Sequence, residues 1–264
     1  MEYIFVLFVG CIAGIVTGLI GASGVMVVVP ALIILGYTTS DAIGASLFID
    51  TIASLVVAWT YYQNKNLNLK QGIWITIGSV GGAQIGSLIS PSIPDVGLSS
   101  AFSILLVITA VIFWFRGAKV GVPSLNGTDA ATQQSRIVKL LRSNAIVSGL
   151  LLGVLVGIIS GLFGAGGGVM ILLILVFVMQ YSMHEGIGTS TLIMAFTAAS
   201  GTLGHAISSN LPLKAAIYGA IGTLIGGRFA ARFANKVNEK VLSKVIGGIF
   251  ITLAVIMVVT SHLN

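Results

Sequence analysis

Charge is scarce in this sequence: 13 Lys and Arg and 7 Asp and Glu make up only 8% of its 264 residues. A soluble globular domain carries about 25% charged residues, because its water-facing surface needs them. That shortage, beside 56% hydrophobic residues and a mean hydropathy of +1.07, excludes a soluble fold and makes the chain an integral membrane protein. Cysteine is nearly absent too. The single Cys11 permits no intrachain disulfide, no Cys-based metal site and no redox pair, and reads as a small packing residue. Histidines number three, with no Ser/His pairing and no clustered His/Asp set, so a membrane-embedded enzyme finds no support and neither metal nor cofactor is expected. The basic residues gather in two short stretches instead of being interleaved with polar and aromatic readers, which suits cytoplasmic loops and excludes nucleic acid as a partner.

What the sequence has is apolar runs. They lie at about 3–20, 25–36, 42–62, 71–90 and 98–115, then again at about 145–163, 169–181, 187–207, 214–227 and 243–260. The first could be mistaken for a signal peptide, but its first charge is Glu2 and like segments follow throughout, so it is read as a retained span. Crossing a hydrocarbon core takes about 20 helical residues, so the runs at 25–36 and 169–181 are too short to cross unaided and are expected to be half-helices or re-entrant.

The two sets of runs are copies. A shift of 144 residues pairs Gly24-Val25-Met26 with Gly168-Val169-Met170, Ile43-Gly44 with Ile187-Gly188, Ser46 with Ser190, Tyr37 with Tyr181, Leu69-Lys70 with Leu213-Lys214, and Gly78 and Gly82 with Gly222 and Gly226. With one residue of slack, Gly10, Gly14, Gly18 and Gly21 fall on Gly153, Gly157, Gly161 and Gly164. The expected organisation is a first membrane repeat over 1–116, a basic linker over 117–143 and a second membrane repeat over 144–264.

Charge indicates how the copies are related. Arg116, Lys119, Arg136, Lys139 and Arg142 mark the linker as cytoplasmic, as do Arg228, Arg232, Lys236, Lys240 and Lys244 for the loop before the last span. The counterpart loops, 84–100 and Ser261 to Asn264, carry no Lys or Arg. Matching loops then lie on opposite sides. The fold expected is an all-α polytopic membrane protein of two inverted repeats with broken or re-entrant short helices, an odd number of crossings per repeat, and both termini outside. Lys214 fits this arrangement poorly.

Two small-residue clusters are the expected substrate site: Gly21-Ala22-Ser23-Gly24 and Gly164-Ala165-Gly166-Gly167-Gly168. Each separates a long apolar run from a short one, where a broken helix could turn free N–H groups and a positive dipole end toward an anion. The flanking Gly14/Gly18 and Gly157/Gly161 read instead as close helix packing. Ser46, Thr189 and Ser190 near the starts of matching helices could bond an oxyanion without charge, although hydroxyls on membrane helices also bond their own backbone, and Thr191 is a weaker candidate. Asp50 lies roughly 13 Å into its span, near the midplane, where an ionisable group points to proton coupling or gating. Its repeat mate is Met194, and as a carboxylate it would repel an anion unless protonated. His205 could carry protons or sit at an interface, and Arg228 could attract anions or snorkel. His184-Glu185 only superficially suggests a metal pair, while Trp59, Trp74 and Trp114 read as interfacial anchors.

At these clusters the sequence resembles the TauE/SafE sulfite exporter family. The likeness rests on Gly-Ala-Ser-Gly-Val followed by Pro30, on the Gly164 to Gly168 cluster, on the Gly-x-Ser segments near 44 and 188, and on the basic linker. The second repeat has Ile174 where the first has Pro30. The resemblance implies movement of sulfite, an organosulfonate or a related small sulfur oxyanion across the cytoplasmic membrane. An inside-negative potential favours anion exit by about 2.3 kcal/mol per charge per 100 mV, so export by alternating access is the expected mode. An anion channel, or proton-coupled uptake of another small organic anion, is the alternative. The partners expected are that anion and the lipid bilayer, with assembly into a homo-oligomer left open.

Overall fold

The computed structural model describes residues 2–70, 72–93, 144–163, 167–179, 181–208, 211–238, 241–242 and 245. The apolar runs at 98–115 and 243–260, the linker, and Gly164, Ala165 and Gly166 lie outside the described residues. Every other run is helical: α1 Glu2–Ile20, α2 Val25–Ile34, α3 Thr39–Gln63, α4 Gly72–Ile89, α5 Ala145–Phe163, α6 Gly168–Leu173, α7 Met183–Ser208 and α8 Leu213–Ala234. No strand occurs among the described residues. Among the described residues, four helices are long and apolar enough to cross a membrane: Glu2–Ile20, Thr39–Gln63, Gly72–Ser92 and Ile146–Phe163. Their outward faces carry large apolar side chains such as Phe8, Trp59, Ile77 and Leu151, all more than 50% exposed. A surface of this kind is stable against lipid and not against water.

The helix starts repeat along with the spans. Thr38 Oγ1 accepts the Asp41 N–H at 3.2 Å at the start of α3, and at the matching place in α7 Ser182 Oγ accepts the Glu185 N–H, also at 3.2 Å. Both carboxylates stand in the first turn, where the helix dipole favours them. Glu185 is thus a first-turn residue bonded to Ser182, and His184 Nε2 reaches the Ala234 and Val237 carbonyls at 3.1 Å. No metal-binding group of His, Cys, Asp or Glu forms among the described residues.

The short helices are half-length. α2 has ten residues, about 15 Å at 1.5 Å rise, half of a hydrocarbon core. In α6 the α-helical turns end at Leu173 and give way to a π-helical turn, Ile174–Val178. The changeover begins at Ile174, the position that Pro30 holds inside α2. The two short helices therefore differ in geometry at the one place where their sequences differ in helix chemistry.

Small residues decide the packing. α1 lies against α8 with Gly10 on Gly219, Gly14 on Thr223 and Gly227, and Gly18 on Gly227 and Ala230. Partner numbers rise together, so these helices run parallel. α5 meets α4 in the same register one repeat over: Gly153 on Ile75, Gly157 on Ser79 and Gly161 on Ala83. α3 also runs parallel to α8, with Gly219 at Ile49 and Gly227 at Val57. α3 and α7, which occupy the same place in the two copies, run antiparallel: Gly44 meets His205, Gly201 meets Leu47 and Gly188 meets Tyr61. The predicted close packing at Gly14/Gly18 and Gly157/Gly161 is borne out, with helix backbones in direct contact.

This packing predicts a sharp contrast between neighbours. A β-carbon on Gly82 would strike the Val154 carbonyl, whereas one on Gly81 meets nothing within 4 Å. Gly82→Leu is expected to destabilise the purified protein by about 3 kcal/mol or more, and Gly81→Leu by less than about 0.5 kcal/mol. Thermal melting of the two variants in detergent checks this.

Candidate functional site

The polypeptide leaves α1 at Ile20 and turns back through Gly21, whose φ of +66° is a left-handed conformation that a side chain would strain. The turn lies deep in the protein. Gly21, Ala22, Ser23 and Gly24 are all buried, and Gly24 is the N-cap of α2. Orphan N–H groups at such an end must find acceptors, because no water reaches them in a hydrocarbon core.

Asp50, near the middle of α3, supplies the acceptor. Its side chain is 1% exposed. Oδ2 accepts the Ser23 hydroxyl and Oδ1 accepts the Gly24 N–H at 3.1 Å. Ser23 Oγ in turn accepts the Val25 N–H at 3.1 Å. A carboxylate of the protein thus takes the donors of the first cluster, in the position an oxyanion would occupy at a helix N-terminus. Sequence reasoning singled out Asp50 but missed this partnership. Two groups 27 residues apart on different helices leave no spacing signal.

The second cluster approaches the first. Gly168, at the start of α6, lies on the Gly21 carbonyl and on Ala22, and against Met194 Sδ. Met194 and Gly168 are the repeat mates of Asp50 and Gly24, so matching side chains stand beside both helix starts, a carboxylate that accepts the Gly24 N–H at one and a thioether packed on Gly168 at the other. Gly167 is buried beside Val156.

Of the hydroxyl candidates Ser190 reaches the first break, and the bonds of each are directed at backbone. Ser190 Oγ donates to Ile187 O at 3.0 Å and points at Gly21 O at 3.4 Å, joining α7 to the first break. Ser46 donates to Ile43 O at 2.7 Å. Thr191 Oγ1 reaches Ile187 O and Gly188 O at 2.9 Å. Thr189 turns to the loop after α3, where its hydroxyl accepts the Asn68 N–H at 3.0 Å and lies 3.2 Å from Asn68 O. His205, fully buried, reaches the Gly161 carbonyl through Nε2 at 3.0 Å. Arg228 stands on the exposed face of α8 beside Phe229, opposite the Gly226 and Gly227 that abut α1 and α3. It does not join the Asp50 group. Trp59 is 61% exposed, as an interfacial anchor would be, while Trp114 lies outside the described residues.

A family model described as "Sulfite exporter TauE/SafE" matches residues 6–257 of the chain. The chain belongs to the TauE/SafE family. Among curated proteins it is similar to the probable membrane transporter protein YunE of Bacillus subtilis (strain 168), 26% identical over 220 residues, covering 80% of this chain and 81% of that protein. The probable membrane transporter protein MJ0441 of Methanocaldococcus jannaschii is 28% identical over 207 residues, covering 75% and 70%. YdhB of Bacillus subtilis, also a probable membrane transporter protein, is 25% identical over 225 residues, covering 85% and 86%. No solved structure matches. As a TauE/SafE member the chain is a membrane transporter, in accord with its apolar helices.

The Asp50 contacts predict an ordered mutational series. Asp50→Leu leaves the Ser23 hydroxyl and the Gly24 N–H buried without their acceptor, and is expected to cost about 2 kcal/mol or more. Asp50→Asn keeps a carbonyl oxygen for one of them and should cost less than about 1.5 kcal/mol. Side-by-side thermal melts read the order directly, and equal melting of Asp50→Leu and wild type would contradict the assignment.

Proposed function

We propose that this TauE/SafE transporter moves sulfite or a related small sulfur-containing anion, such as an organosulfonate or thiosulfate, out of the cell. It does so by alternating access of two inverted repeats across the cytoplasmic membrane. The observation that carries the reading is the meeting of the two helix breaks, Gly168 on Gly21 and Ala22, at the centre of the bundle. A transporter built from two copies binds its substrate where the copies' broken helices converge. The antiparallel run of α3 and α7, together with the reciprocal α1–α8 and α4–α5 seams, supports an inverted relation. The family description supports the substrate class.

The same directions support an orientation. Parallel α3 and α8 bring Lys65 and Lys70 to the end that carries Arg232 and Lys236, and the positive-inside rule makes that end, with the linker, cytoplasmic. Glu2 and Asp41 then face outward, as does Lys214. Gly21 to Gly24, Gly164 to Gly168, Ser46, Thr189 and Ser190 form the substrate region, and no cofactor takes part. Arg228, at the basic end, raises anion concentration near the inner entrance.

Asp50 favours a second reading, proton-coupled uptake. Its carboxylate accepts from the Ser23 and Gly24 donors, so an anion reaches them only when Asp50 is protonated or withdrawn. Anion and proton would then enter together.

Charge movement in proteoliposomes on rapid addition of sulfite, thiosulfate, a short alkanesulfonate, sulfate or chloride separates these readings. Export by facilitated diffusion predicts a saturable current with the sulfur oxyanions, retained in Asp50→Asn. It should be lost in Gly168→Leu, whose β-carbon would come within 2.6 Å of Gly21 O and Met194 Sδ. Proton-coupled uptake predicts anion accumulation driven by an imposed pH gradient and abolished in Asp50→Asn. Absence of current across the whole panel in folded protein would sink electrogenic export, and absence of accumulation under the pH gradient as well would sink both.

A further inference from the structure

Tyr61 and His205 occupy the same position in the two copies, 144 residues apart. Both are fully buried, and both lie on a glycine of the opposing long helix, Tyr61 on Gly188 and His205 on Gly44. These glycines are themselves repeat mates. Each side chain reaches a backbone carbonyl at the end of its own copy's first helix: Tyr61 Oη donates to Gly18 O at 3.3 Å, and His205 Nε2 lies 3.0 Å from Gly161 O. Gly18 and Gly161 are repeat mates as well. The residue type has changed between the copies while the hydrogen bond has been kept.

The carbonyls concerned explain why. Gly18 and Gly161 lie in the last turns of α1 and α5, among the last four carbonyls that an α-helix cannot satisfy internally. A carbonyl acceptor requires a proton on Nε2, which the Nε2–H tautomer and the imidazolium both supply. Proton uptake by the ring is therefore not needed for the bond. We propose that Tyr61 and His205 are matched positioning residues that hold the ends of the two broken helices by donating to Gly18 and Gly161. His205 acts as a fixed hydrogen-bond donor and not as a proton carrier.

The inference rests on the transport reading only for its functional consequence, so the experiment has two arms. In hydrogen–deuterium exchange of the full-length protein, His205→Leu is expected to raise exchange about tenfold in peptides covering 158–163 and 167–173. His205→Gln, whose amide nitrogen donates from nearly the same place, should stay within about twofold of wild type. Tyr61→Phe, which removes only the hydroxyl, should raise exchange over 15–20 and 25–31 by a similar factor. In the proteoliposome arm with sulfite, His205→Gln is expected to keep at least about half of the wild-type rate from about pH 6 to about pH 8, while His205→Leu loses about tenfold or more. Unchanged exchange in His205→Leu and Tyr61→Phe would overturn the clamp. His205→Gln with normal exchange but no transport would overturn the fixed-donor role in favour of proton carriage. Wild type silent toward sulfite would count against the transport reading alone, and the exchange arm would still decide the clamp.

Discussion

Backbone that stops being helical inside a membrane has to satisfy its own polar groups, and most of this structure follows from that constraint. Each copy interrupts its first helix and resumes it as a short one. The Gly24 N–H at the start of α2 reaches Asp50, and Ser23 serves both as donor to that carboxylate and as acceptor for Val25. The carbonyl ends of α1 and α5 receive Tyr61 and His205. The Gly21 carbonyl stands 3.4 Å from Ser190 Oγ. Apart from Ser23, which lies in the break itself, these partners are on the long helices α3 and α7, which makes the antiparallel α3–α7 pair the frame on which both breaks are held.

That frame requires small residues around it. The α1–α8 and α4–α5 seams bring glycine backbone onto backbone in matching register, which places parallel helices close enough for α3 and α7 to reach the breaks. Hydrophobic driving force contributes little between helices already in lipid, so close contact and the hydrogen bonds it permits supply the specificity. The polar contacts between α4 and α7, such as Ser79 Oγ to Thr197 Oγ1 at 2.7 Å and Ser200 Oγ to Val80 O at 2.8 Å, belong to the same economy of small side chains.

Symmetry is kept in position and broken in chemistry. Asp50 is mirrored by Met194, Tyr61 by His205, and Pro30 by the start of a π-helical turn at Ile174. A carboxylate at one break and a thioether at the other make the two halves electrostatically unequal around a shared centre. A transporter whose halves exchange roles through its cycle would present different surroundings to an anion in its two end states.

Much of this was legible in sequence. Scarce charge, apolar runs and a constant shift of 144 residues located all the described helices and the half-length of α2, because span length and repeat register are properties of the chain itself; the matching caps at Thr38 and Ser182 emerged only with the structure. The clusters at Gly21 and Gly168 were legible as breaks for the same reason. What each polar side chain bonds to was not. Asp50 with Ser23 and Gly24, Thr189 with the loop after α3, and His205 with Gly161 are contacts between distant segments, and a sequence records no distance between elements until they pack. The helices and their breaks were therefore determined by the sequence alone, through local periodicity and backbone chemistry. Only the tertiary structure decided that a carboxylate of the protein holds one break and that two unlike side chains hold the same carbonyl twice, because hydrogen bonds form between groups that packing brings within about 3 Å.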